Sequence, residues 1–103
     1  MSWVLIVHEV ADYDAWKRVF DEAAELRRDA GERAFQVLRD ERRPERVVHF
    51  SEWSSSSDAR AFFESPEVER IRERAGVRSP DFLYLDESDR GILRAPDAPT
   101  GAD

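Results

Sequence analysis

Residues 3–10 read WVLIVHEV, and this stretch decides the fold. It is the most apolar run in a chain that is 38% charged. It is too short for a buried helix and rich in β-branched residues, so it reads as a strand. Alternation puts Val4, Ile6 and His8 on one face and Trp3, Leu5, Val7 and Glu9 on the other. Both faces are mostly apolar, which places the strand at the centre of a sheet. Leu5 and Val7 are assigned to the helices that cover the sheet; Val4, Ile6 and His8 are assigned to the opposite side.

The strand runs straight into a helix signal. Asp12 is an N-cap residue and Asp14 adds favourable charge in the first turn. Tyr13, Trp16, Phe20, Ala23 and Ala30 follow helical spacing, and Gly31 is a C-terminal stop. One helix is expected over residues 13–30. Residues 34–39 (AFQVLR) and 47–53 (VVHFSEW) form a hairpin around a loop containing Pro44. Serines 54–57 cap a second helical stretch, which Ser65-Pro66 interrupts and Pro66 restarts. Gly76 ends it, and residues 81–86 (DFLYLD) form the last strand.

The order is strand, helix, strand, strand, helix, strand: an α+β, ferredoxin-like βαββαβ pattern with a four-stranded antiparallel sheet. Residues 1–87 make the domain. Residues 88–103 lack periodicity and read as a loosely ordered tail, with Ile92 and Leu93 as its only apolar anchors. Helices on one sheet face leave the other uncovered. Two copies pairing face to face remove that exposed apolar area, so a homodimer is expected.

Composition narrows the function classes. The chain has 103 residues, with 23 Asp and Glu against 16 Lys and Arg, for a net charge of −7. Phosphate binding needs clustered positive charge, which argues against a nucleic-acid partner. The absence of cysteine removes disulfides, a thiol nucleophile and thiolate metal sites. No apolar run reaches the length needed to cross a bilayer, and the N-terminus shows no leader pattern, so the expectation is a soluble cytoplasmic protein without a membrane partner. No Gly-rich phosphate loop or other motif for a nucleotide, flavin or pyridoxal group is present, so no cofactor is expected.

Three segments then carry a resemblance: VHEVADYDAWKRVFDEAAELRRDAG at 7–31, HFSEWSSSSDARAFFESPEV at 49–68 and FLYLDE at 82–87. Together they resemble the dimeric α+β barrel superfamily. It includes the antibiotic biosynthesis monooxygenase, polyketide cyclase and stress-response barrel families and haem-degrading relatives. The resemblance spans residues 3–87. It implies a homodimer with a small apolar pocket, and cofactor-independent oxygenation or cyclisation of a small aromatic or polyketide-like compound. The other class it leaves open is a non-catalytic module that binds a ligand or assembles. In the monooxygenase branch a tryptophan and an asparagine position substrate and oxygen; this chain has Trp53 at a matching place and no asparagine.

His8 and His49 are the candidate acid–base groups. Histidine titrates near neutral pH, and neighbouring strands bring these two within roughly 5–8 Å on one face. His8 is assigned the leading role, with His49 and Tyr84 in support. Two histidines without a third ligand fall short of a metal set, so no metal is expected. Trp53, Trp16, Phe20 and Phe62 are the ligand-contact candidates. Trp16, Phe20 and Phe62 are first of all core residues that can wall a pocket, and Trp53 is first of all a dimer-interface residue.

Overall fold

The computed structural model describes residues 2–96. Its elements are β1 (Ser2–Val10), α1 (Tyr13–Glu22), α2 (Ala24–Ala30), β2 (Glu32–Arg39), β3 (Arg46–Trp53), α3 (Ser56–Phe63), α4 (Pro66–Arg74) and β4 (Val77–Asp86). The sheet is antiparallel with strand order β2-β3-β1-β4, so β1 and β3 sit at the centre. This is the ferredoxin-like α+β fold expected from the element order.

The helix starts follow local chemistry. The Asp12 carboxylate accepts the Ala15 N–H at 3.2 Å, Ser55 Oγ accepts from Asp58 N at 3.0 Å, and Ser65 Oγ accepts from Val68 N at 3.2 Å, with Pro66 in the first turn of α4. The stretch 13–30 is two helices and not one. The chain loosens at Ala23 (φ −89°, ψ 8°), and the bend leaves the Phe20 carbonyl to accept a hydrogen bond from the Arg27 guanidinium.

The assignment of sheet faces is reversed from the sequence expectation. Val4, Ile6, His8 and Val10 are buried and face the helices, together with Val47, His49, Ser51 and Trp53 from β3. Trp3, Leu5, Val7 and Glu9 lie on the uncovered face with Val48, Phe50 and Glu52. Trp53, expected at a dimer interface, is fully buried in the helix-side core against Phe62 and Phe63. Alternation separates the two faces of a strand, but a strand that is apolar on both does not say which one the helices take.

Two bulges shape the strand ends. In β2 the register against β3 shifts between Glu32, opposite Trp53, and Ala34, opposite Glu52. One extra residue there turns the Glu32 side chain onto the helix face, where strict alternation from Phe35 would have turned it away. In β4 the register against β1 shifts between Val7 and Glu9, beside Ser79 (φ +48°) and Pro80. The strand begins at Val77, four residues before the predicted start, because an edge strand tolerates a proline that cannot donate to the ladder. Residues 88–96 run without helix or strand, and Ile92 and Leu93 are almost fully exposed. The rest of the predicted tail, 97–103, lies outside the described residues.

Gly31 joins α2 to β2 at φ +131°, and its carbonyl accepts from Ser54 N at 2.9 Å. A Cβ there would lie 2.5 Å from Ser54 Oγ, a side chain already tied to Asp58 at 2.6 Å. Gly31→Ala is expected to lower the urea unfolding free energy by about 2 kcal/mol, combining backbone strain with the clash. Gly91→Ala, with open space around it, is the control and should change nothing measurable.

Candidate active site

Between the sheet and the helices lies a cavity of about 70 Å³, its wall almost entirely apolar. Trp16 and Phe20, one turn apart on α1, stack at 5.0 Å. Trp16 packs on the His8 ring at 5.3 Å, and Phe20 meets the His49 ring edge-on at 4.9 Å. Phe62 closes the wall from α3, and Val68, Ile71 and Arg72 close it from α4. His8 and His49 are diagonal cross-strand neighbours, since His8 pairs with Val47 and His49 with Ile6.

The two histidines have opposite environments. His49 Nε2 is 2.8 Å from Glu32 Oε2, and Glu32 Oε1 accepts from Arg27 Nε at 2.6 Å. Arg27 also bonds the Phe20 carbonyl and lies face-on to the Phe20 ring, 3.6 Å from its centre. All three charged or polar side chains are buried. Burial pushes the Glu32 carboxyl up, but the hydrogen bonds and charges of His49 and Arg27 outweigh it, and the group titrates below its ordinary value. An ionised Glu32 only accepts, so Nε2 of His49 carries a proton toward it; whenever the ring is neutral, Nδ1 is the nitrogen that holds the lone pair.

His8 is buried with neither ring nitrogen bonded to any described residue. Burial, then the charges of His49 and Arg72, lower its pKa from 6.5 to about 4, so the ring is neutral at pH 7. A neutral imidazole offers one N–H donor and one acceptor. Leaving such groups unsatisfied in a dry site costs about 1–3 kcal/mol each.

Of the sequence candidates, His8, His49, Trp16, Phe20 and Phe62 converge on the cavity. Two do not. Trp53 directs its indole N–H to Ser51 Oγ at 2.8 Å inside the core, and Tyr84 stacks beyond Phe82 with the Arg60 guanidinium 4.0 Å over its ring. Three polar residues were missed. Arg27 continues the Trp16, Phe20, Ala23 stripe at helical spacing, and Arg72 falls beside Ile71 in the α4 stripe, so both were readable as inward-facing cations. Glu32 had no such signal, because the bulge that turns it inward leaves no mark in the alternation. Among the described residues no helix is long and apolar enough to cross a membrane.

Against known proteins, the family model described as antibiotic biosynthesis monooxygenase matches residues 9–74. No curated protein matches the sequence. Solved structures share the fold at low identity. A Deinococcus radiodurans protein superposes with a TM-score of 0.69 at 12% identity, covering 92% of this chain and 100% of its own. SnoaB, a cofactor-independent oxygenase from Streptomyces nogalater solved as a mutant, gives 0.69 at 16% identity, covering 86% and 94%. Rv0793 from Mycobacterium tuberculosis gives 0.63 at 17% identity, covering 89% and 100%.

The depressed His8 pKa has a stability consequence with a definite sign. The unfolded chain binds a proton at His8 near pH 6.5 and the folded chain only near pH 4. This contribution is therefore complete above pH 6.5 and is lost as pH falls from 6.5 to 4. Between pH 7 and pH 5 it amounts to about 2 kcal/mol. Urea unfolding of the wild type is expected to show that loss, and His8→Phe is expected to flatten the profile over the same range.

Proposed function

Because the chain belongs to the antibiotic biosynthesis monooxygenase family, we propose that its cavity is the active site of a cofactor-independent oxygenase. Its substrate is a small aromatic or polyketide-like compound. The observation that carries this reading is the buried Arg27–Glu32–His49 chain, which ends with an oriented imidazole in an apolar cavity. The SnoaB likeness adds a cofactor-independent oxygenase on the same fold.

The chemistry asked of the protein is modest. His49, oriented by Glu32, takes a proton from an activated CH2 of the substrate. The electron-rich carbanion then reacts with dioxygen. The CH2 carbon becomes a carbonyl holding one oxygen atom, and the second oxygen leaves as water with the two hydrogens. The substrate supplies all the electrons, so no external reductant enters the balance. A cavity of about 70 Å³ is smaller than the ~150 Å³ that admits a benzene ring. It therefore receives the reacting end of the substrate while the rest reaches out through the mouth.

The same reading includes a homodimer. The uncovered sheet face carries Trp3 stacked on Phe50 at 5.1 Å, with Leu38, Leu83 and Leu85 each more than a third exposed. An apolar face of this kind is hidden by a second copy across a two-fold axis.

Two measurements test these statements. With a panel of small hydroxy-aromatics in an oxygen electrode, the wild type is expected to take up oxygen. His49→Ala and Glu32→Gln are expected to lower the rate by about 10²-fold or more. Ring closure without oxygen uptake would make the protein a cyclase, and binding without turnover in every variant would make it a ligand-binding module. Light scattering is expected to give twice the 12.0 kDa chain mass for the wild type. The Leu38→Arg, Leu83→Arg double variant should be monomeric.

A further inference from the structure

Past the end of β4 the chain folds over the uncovered sheet face. The Arg90 guanidinium stands 5.7 Å from the centre of the Trp3 ring and bonds Glu87 at 2.7 Å. Residues 87–90 thereby form one wall of a groove of about 590 Å³ whose floor is Trp3, Phe50 and Leu85. Beyond Arg90 the chain leaves the domain, with Ile92 95% and Leu93 98% exposed; the next most exposed large apolar side chain among the described residues, Phe35, is at 52%. This arm lies outside residues 9–74, the stretch that the family model matches. Arm and groove carry opposite charge. Glu52, Asp86, Glu87 and Asp89 border the groove and the depression beside it. Arg90 answers Glu87, but among the described residues Glu52, Asp86 and Asp89 have no cation within ion-pair distance. The arm reads Arg90-Gly91-Ile92-Leu93-Arg94, an apolar pair between two cations, and Arg94 has no carboxylate within that distance among the described residues.

The root of the arm is already a wall of its own groove, and a single residue separates Arg90 from Ile92, so the apolar pair does not also fill that groove. A second copy of the chain presents the same apolar floor and the same acidic rim. We propose that the two copies exchange arms: Ile92 and Leu93 of each enter the groove of the other, and Arg94 meets its acidic rim. This rests on the sheet-face dimer proposed above, of which Trp3, Phe50 and Leu85 are part. The reach is sufficient. The three residues from Arg90 to Leu93 span up to roughly 10 Å, which is the separation of two sheets packed face to face. Each copy contributes one arm and one groove, so reciprocal insertion closes the pair on a two-fold axis near Trp3 and leaves no open site for a third copy. Burial of the apolar pair favours the contact. Near that axis the two acidic rims face each other, and Arg94 of each copy offsets their repulsion.

The chain has no cysteine, so introduced thiols report the exchange directly. Full-length Leu93→Cys chains are mixed with tagged Ser88→Cys chains under mild oxidation, and a disulfide between tagged and untagged chains is expected. With both substitutions in one chain, cross-linked dimers are expected, and a bridge closed within the monomer overturns the exchange. Sedimentation measures the energetics. The Ile92→Asp, Leu93→Asp double variant is expected to raise the dimer dissociation constant by about a hundredfold or more with its circular dichroism unchanged. Arg94→Glu should raise it by about tenfold at low salt, with the difference shrinking as salt is added. An unchanged dissociation constant in the Ile92→Asp, Leu93→Asp variant, or no disulfide between the mixed chains, overturns the arm exchange. If that variant stays dimeric while Leu38→Arg, Leu83→Arg is monomeric, the exchange fails and the sheet-face dimer stands; a monomeric wild type removes both. Oxygen uptake enters none of these readouts, so the oxygenase reading is tested separately.

Discussion

The Glu32 carboxylate, held between Arg27 and His49, is the interaction on which the rest of the site depends. It is one buried anion with a partner on each oxygen. Removing Arg27 would leave the carboxylate's charge uncompensated in the core, which is among the more damaging local changes a small domain can suffer, and removing His49 would leave one carboxylate oxygen without its hydrogen bond. The arrangement ties three elements together: Arg27 on α2, Glu32 at the head of β2 and His49 in the middle of β3. Two irregularities make it geometrically available. The bend at Ala23 frees a carbonyl that anchors Arg27, and the bulge after Glu32 turns the carboxylate inward. Defects in regular structure are thus what assemble the polar chain.

The same cavity contains a deliberate imbalance. His49 is satisfied and oriented, whereas His8, two strand positions away on the same face, is buried neutral and unbonded. A protein selected for stability alone has a simple remedy, an aliphatic side chain that packs on Trp16. A buried imidazole with both nitrogens unbonded, beside a half-buried, carboxylate-free Arg72, is the physical ground for reading the cavity as a binding site and not as a packing fault. Stability and function pull in opposite directions at His8, and in the same direction at Glu32.

Much of this was legible in the sequence. Asp12, Ser65 and Pro66 announced their helix starts, Gly31 and Gly76 announced helix ends, and the element order gave the topology. The closeness of His8 and His49 followed from alternation once β1 and β3 were neighbours, but their meeting with Trp16, Phe20 and Phe62 did not, because the sequence reading put both histidines on the face away from the helices. Arg27 and Arg72 were readable from their stripes but were passed over, because a cation on an apolar stripe is more often a stem that snorkels to water. Glu32 was not readable, since its burial is created by an inserted residue in the β2–β3 pairing.

The sequence by itself determined the periodicities: which residues share a face of a strand or a helix, where helices start and stop, and therefore the ferredoxin-like order. Those properties are local, set by backbone geometry within a few residues. Only the tertiary structure decided which sheet face the helices cover, and so whether His8 looks into a cavity or away from it. That choice is made by packing between elements distant in the chain, and β1, apolar on both sides, is compatible with either.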